Sequence, residues 1–207
     1  MTLIEMLVAI ALFSIFIGIS FASVTQLTRT ATTATSRANS ANAVVNVFSL
    51  LDRQVRYADS INFAGMGASG NSYIEFRTPA SATNSGVVTC TQWRFDPTRD
   101  VIEYRSWPSA PSPQLPAFAT KATDVQGTAS STYPFKLIQA TAAGSLLQQL
   151  QLRITGGSPV ASDQTDISTQ YVARNSSNDP ARSPSNADAN GDSVSDNPVC
   201  NPTGYRP

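Results

Sequence analysis

From Met1 to Ala22 the chain reads MTLIEMLVAIALFSIFIGISFA, a run that is apolar on every face of a helix and holds one charged side chain, Glu5. About 20 such residues are needed for a helix to cross a bilayer, so the segment is a membrane span by length. The alternative is a buried core helix. A small domain seldom encloses a helix with no polar face, which weighs against it. A secretory signal would open with positive charge, carry a shorter apolar stretch and end at a small-residue cleavage site. That pattern fits poorly, and the segment is expected to stay in the mature protein.

An acid inside an apolar span costs on the order of a few kcal/mol and calls for a partner. Glu5 lies in the first turns, where unpaired amides and the helix dipole favour negative charge and the free amine of Met1 would be close. Pairing with its own N-terminus is one reading. The other is an intermolecular pair, which would stop stacked helices at one axial offset.

The stretch Met1-Thr2-Leu3-Ile4-Glu5-Met6-Leu7-Val8-Ala9-Ile10 resembles the processed N-terminus of type IV pilins and of the pseudopilins of type II secretion. The likeness is specific over roughly the first 25 residues, with Met in place of the more usual Phe at the first position. It implies a short basic leader cut away before Met1 by a prepilin peptidase, N-methylation of Met1, and a Glu5 that neutralises the N-terminus of a neighbouring subunit during assembly. Relatives often carry a helix-breaking Gly or Pro where this chain has Ser14 and Ala22, so a more continuous helix is expected here.

Beyond the span, Val24, Leu27, Ala31, Ala34, Ala38, Ala41, Val45, Phe48, Leu51, Val55 and Ala58 recur every three or four positions. This spacing predicts one helix to about residue 58, with alanines suited to close helix approach and a lower seam large enough to pack on a sheet. After Gly65-Met66-Gly67-Ala68-Ser69-Gly70-Asn71 the period drops to two. Strands are expected at 73–77, 87–95, 101–105, 135–138 and 168–174, with 146–154 a strand whose first part could open as helix. Residues 107–116, dense in proline, are expected to form a surface loop. The fold class is therefore α+β, the long helix packed on an antiparallel sheet with a loop-rich C-terminal region, which is also the fold the pilin resemblance implies. The expected divisions are 1–22 (membrane and filament-core half of the helix), 23–58 (its amphipathic half), 59–174 (sheet domain) and 175–207 (polar tail).

Cys90 and Cys200 are the only cysteines. In an exported chain two cysteines point to a disulfide, here one tying the tail to a strand, as pilins commonly do; two free thiols are the alternative. Asp188, Asn190, Asp192 and Asp196, with the Val194 carbonyl, fall at positions 1, 3, 5, 9 and 7 of a calcium-type loop. Ser193 stands where such loops carry Gly, and Val199 where a closing acid belongs. A solvated turn is the alternative to Ca2+ binding.

A formal net charge of zero offers nucleic acid no field, and no such partner is expected. Histidine is absent, and the acids Glu75, Asp96, Asp100 and Glu103 are scattered, so the chain is not expected to be an enzyme and needs no cofactor. The resemblance implies a structural pilus subunit, main or minor, whose partners are further copies, other pilins, the prepilin peptidase, an assembly platform, and the membrane before assembly. It implies a place in the inner or cytoplasmic membrane, then in an extracellular pilus. A pseudopilin of a secretion or DNA-uptake system is the alternative within the family. A membrane-anchored binding module or enzyme is the alternative outside it.

Overall fold

A computed structural model describes residues 2–110, 113–156, 165–202 and 205–207. Helix α1 covers Leu3–Arg56 as one element, with no break at Ser14 or Ala22. Among the described residues ten strands follow: β1 (Ser60–Ile61), β2 (Gly65–Met66), β3 (Ser72–Thr78), β4 (Thr89–Asp96), β5 (Val101–Pro108), β6 (Ala119–Ala122), β7 (Val125–Gln126), β8 (Phe135–Ile138), β9 (Gln149–Gly156) and β10 (Thr165–Val172). The protein is α+β, with a long N-terminal helix and antiparallel sheets, an arrangement consistent with the pilin fold. Its two compact units are Met1–Asn39 and Ser40–Pro207, a division that falls within the expected 23–58 segment.

In the second unit the strands form two sheets where one was expected. The first runs β1-β3-β4-β5-β6, with β2 also on β3; the second runs β10-β9-β7, with β8 also on β9. β3, β4 and β5 are a meander in register, so that Ile74 faces Trp93 and Trp93 faces Tyr104 across the ladders. The stretch 146–152 does not open as helix: Gln149–Gly156 is a strand paired along its full length with β10. Trp107 and Pro108, expected in a loop, end β5, opposite Cys90 and Thr89.

The core joins the last helical turns to both sheets. Val44, Val47, Leu51, Val55 and Ala58 are buried with Ile74, Phe76, Trp93 and Phe95 of one sheet and Leu150, Leu152 and Ile154 of the other. The expected seam is one step out of phase at its upper end. Val45 is 59% exposed, Phe48 is half-buried, and Val47 takes the buried position at 0%. The reason is geometric. Two adjacent stripes both satisfy a three-or-four spacing, and contact with the sheets selects the one through 44, 47, 51 and 55.

Sheet residues facing away from this core are also covered. Tyr73, Glu75, Gln92, Glu103 and Arg105 alternate with core residues along β3, β4 and β5, yet all five are buried. Part of what covers them comes from the far end of the chain: residues Val199–Pro207 bond to this face.

Candidate functional site

Helix α1 begins as the sequence requires. The Glu5 and Met6 amides donate to the Thr2 carbonyl, and the Glu5 carboxylate accepts the Thr2 N–H at 3.3 Å, satisfying one of the orphan donors of the first turn. Glu5 is solvent-exposed, and Met1, the residue expected to be methylated, lies outside the described residues.

From Leu3 to Thr35 the helix is long and apolar enough to cross a membrane, with a mean hydropathy of 2.5 and none of that window buried within the chain. Leu3, Ile10, Phe16 (68% exposed) and Phe21 are among its bare side chains. Such a continuous apolar surface needs lipid or protein around it. Its polar side chains are arranged for that surrounding. The hydroxyls of Ser14, Ser20, Ser23, Thr28, Thr30, Thr33 and Thr35 each donate to the carbonyl four residues back, and Thr25 to the one three back. No hydroxyl in that group asks for water, which lowers the cost of an apolar environment.

The other expected site residues lie in the globular unit. Cys90 and Cys200 form a disulfide with Cα atoms 5.5 Å apart. It fixes the tail beside a polar network that sequence reasoning did not find. Glu75, fully buried, receives Arg206 in a two-pronged pair, Nε to Oε1 at 3.0 Å and Nη2 to Oε2 at 2.6 Å. Arg206 also donates to the Phe63 carbonyl, Gln92 donates to Glu75, and Gln92 and Arg105 both donate to the Tyr205 carbonyl. Burial lowers the basicity of Arg206, but the Glu75 carboxylate outweighs it and holds the guanidinium more firmly protonated than usual. Burial of Arg105, which faces Gln92 and the Phe118 and Trp107 rings, makes its proton easier to lose than an ordinary guanidinium's. The signal for this network was present as opposite charges on one face of neighbouring strands. What it lacked was any sign of the cover.

In the loop expected to hold calcium, Ser193 adopts φ 62°, the left-handed turn that the sixth position of such a loop requires. Both Asp188 oxygens accept backbone amides, from Asp192 and Ser193; Asp192 accepts Val194 N–H, and Asp196 accepts Ala189 N–H. Asn190 donates to Asp192. Among the described residues no three Asp, Glu or Cys side chains converge as a metal-holding group.

On geometry, then, two features stand out: an exposed apolar helix with one acid at its start, and a sheet domain whose tail is locked covalently and by a buried ion pair. Compared with models of known families, with characterised proteins and with solved structures, the chain matches none.

Proposed function

We propose that this chain is a subunit of a type IV pilus, main or minor, which sits in the membrane by its N-terminal helix and then polymerises through that helix into an extracellular filament. The observation that supports this best is the segment Leu3–Thr35, wholly unburied, carrying Glu5 at its start and ending in a compact α+β unit. An anchor could satisfy the Thr2 N–H with a neutral side chain, and it has no further use for an acid that costs insertion energy. A polymer does, because an acid that must find a cation on a neighbour sets the register of the stack. On this reading Met1 is N-methylated after peptidase cleavage, and Glu5 is the assembly residue.

The test is direct. Sheared surface fractions should contain thin filaments whose main or minor band is this chain with a methylated Met1, seen by electron microscopy and mass spectrometry. Glu5→Ala should stay in the membrane fraction and lower the filament yield at least about tenfold. Filaments of normal abundance from Glu5→Ala would sink the reading. A pseudopilin shares the helix and the acid, and differs by yielding no long filaments at native expression.

A further inference from the structure

A cleft of about 170 Å³ opens onto the disulfide and is lined by both of its cysteines. Cys90 and Trp107, which face each other across β4 and β5, are buried at its floor, and Ser109 and Asn201 are exposed at its mouth. Cys200 is half-buried and is the more accessible cysteine of the pair. We propose that Cys200 is a site of reversible S-thiolation: a low-molecular-weight thiol enters the cleft and exchanges with the disulfide while the chain stays folded. The inference does not depend on the filament reading above.

Exchange needs a thiolate to reach one sulfur of the bond, and its rate follows access to that sulfur. A nucleophile entering from the mouth meets Cys200, and Cys90, 1% exposed, is the leaving group. A bond forms between the incoming sulfur and Cys200 Sγ, and the bond from Cys200 Sγ to Cys90 Sγ breaks. Its electron pair stays on Cys90, which takes a proton from water, so the thiol itself is the only reductant required. The backbone also favours opening. Cys200 has φ 57°, the left-handed region that a residue with a Cβ seldom adopts, and the disulfide is one of the bonds that hold it there. Once that bond breaks, the constraint is lost and the residue can relax.

Reversibility comes from the ties on either side of Cys200. Before it, the Val199 N–H donates to Asn62 Oδ1 at 2.9 Å, and Asn62 Nδ2 donates to the Val199 carbonyl at 2.8 Å. After it, the Tyr205 carbonyl accepts from Arg105 and Arg206 donates to Glu75. These bonds do not pass through sulfur, so they keep Cys200 beside Cys90 when the covalent link opens. The freed Cys90 thiol then attacks the mixed disulfide and expels the bound thiol. Cys200 is thus the modified residue and Cys90 the resolving one.

Reduced glutathione added to the full chain in detergent micelles tests this, with acid quenching, alkylation of free thiols and peptide mass spectrometry. The expected product carries glutathione on Cys200 and the alkyl group on Cys90, several-fold above the reverse arrangement. Its rate should rise in proportion to glutathione concentration and exceed the rate of global unfolding, followed by tryptophan fluorescence under the same conditions. Removing glutathione should restore the disulfide. Ser109→Trp, which narrows the mouth at an exposed position, should slow exchange in the folded chain about tenfold and leave it unchanged in denaturant. A rate independent of glutathione and equal to unfolding, no exchange before unfolding, or adducts no more frequent on Cys200 than on Cys90 each overturns the proposal. So does a folded Ser109→Trp chain that exchanges as fast as the unaltered one. Should that variant not fold, the concentration dependence and the position of the adduct in the unaltered chain decide.

Discussion

Removing the Arg206 guanidinium would strand Glu75, which has no exposed surface, with one buried negative charge and, among the described residues, only Gln92 and Asn62 as donors. Breaking a buried pair from one side costs about 3–5 kcal/mol, so Arg206→Ala should lower the urea midpoint of the globular unit sharply. Glu75→Gln combined with Arg206→Ala should recover a good part, because no charge is then left unpaired. Nearer the surface, burial works against ionisation of Asp96 and Glu103. The Arg99 guanidinium outweighs it for both, helped by the Arg99 and Thr98 amides at Asp96 and by Arg94 and Thr120 at Glu103, and both carboxyls end below their ordinary values. A depressed folded-state pKa means stability that is present above the unfolded-state pKa and lost as pH falls through the folded one. The unit should therefore lose stability as pH drops below about 4, and Asp96→Asn should flatten that decline. The effect is modest, since Arg99 is half exposed. At this scale Glu5 was legible because an acid among apolar neighbours is conspicuous in sequence. The role of Glu75 was not, because an acid alternating with Ile74 and Phe76 reads as solvent-facing, and Arg206, more than a hundred positions away, gives no local sign of covering it.

Within α1, the upper seam offers a test of which stripe carries the core. Val47 is fully buried and Val45 is exposed, so Val47→Ala should destabilise by about 1–3 kcal/mol while Val45→Ala changes stability by less than about 0.5 kcal/mol. Equal effects would contradict the packing, and calorimetry of the isolated unit distinguishes them. The existence and extent of this helix were legible from spacing alone, to within two residues at its end. Its rotation was not, because the contacts that choose Val44 and Val47 are made by strands distant in sequence. The meander β3-β4-β5 was legible for a similar reason, with strong alternation broken by Asp96-Pro97-Thr98-Arg99-Asp100. Of the second sheet, the strands near 135–138, 146–154 and 168–174 were legible as well, and only their separation from the first sheet was not. β7, with two residues, is too short to show a period and is held by pairing with β9, and which strands join which sheet is set by pairings distant in sequence. The loop 188–196 carries a proposal of its own, a Ca2+ ion, which the left-handed Ser193 supports. Isothermal titration should show heat at millimolar calcium that is abolished by Asp188→Ala, and no heat would remove the ion.

For the chain as a whole, the division between Met1–Asn39 and Ser40–Pro207 predicts what each part does alone. The apolar surface that needs lipid or neighbours lies within the first unit, and the whole packed core lies within the second. A chain beginning at residue 40 should therefore be a soluble monomer by sedimentation in the absence of detergent, and it should unfold in one cooperative step. It keeps Val44, Val47, Leu51 and Val55, and so keeps the helical layer on which the sheets are built. Starting instead at residue 57 removes that layer, bares Trp93, Phe95 and Leu152, and should give aggregates. The disulfide then sets how firmly the soluble unit holds its tail. The loop between the cysteines has a sequence separation of 110, for which chain entropy assigns about 4–5 kcal/mol. Replacing both cysteines by alanine should lower unfolding free energy toward that amount. Yet the tail should stay docked in the folded state, because Arg206, Tyr205 and Pro207 still bond to Glu75, Gln92, Arg105 and Tyr73. Amide exchange decides it: slow exchange near residues 199–207 in the cysteine-free unit is expected, and fast exchange would show that the covalent link alone closes the sheet face.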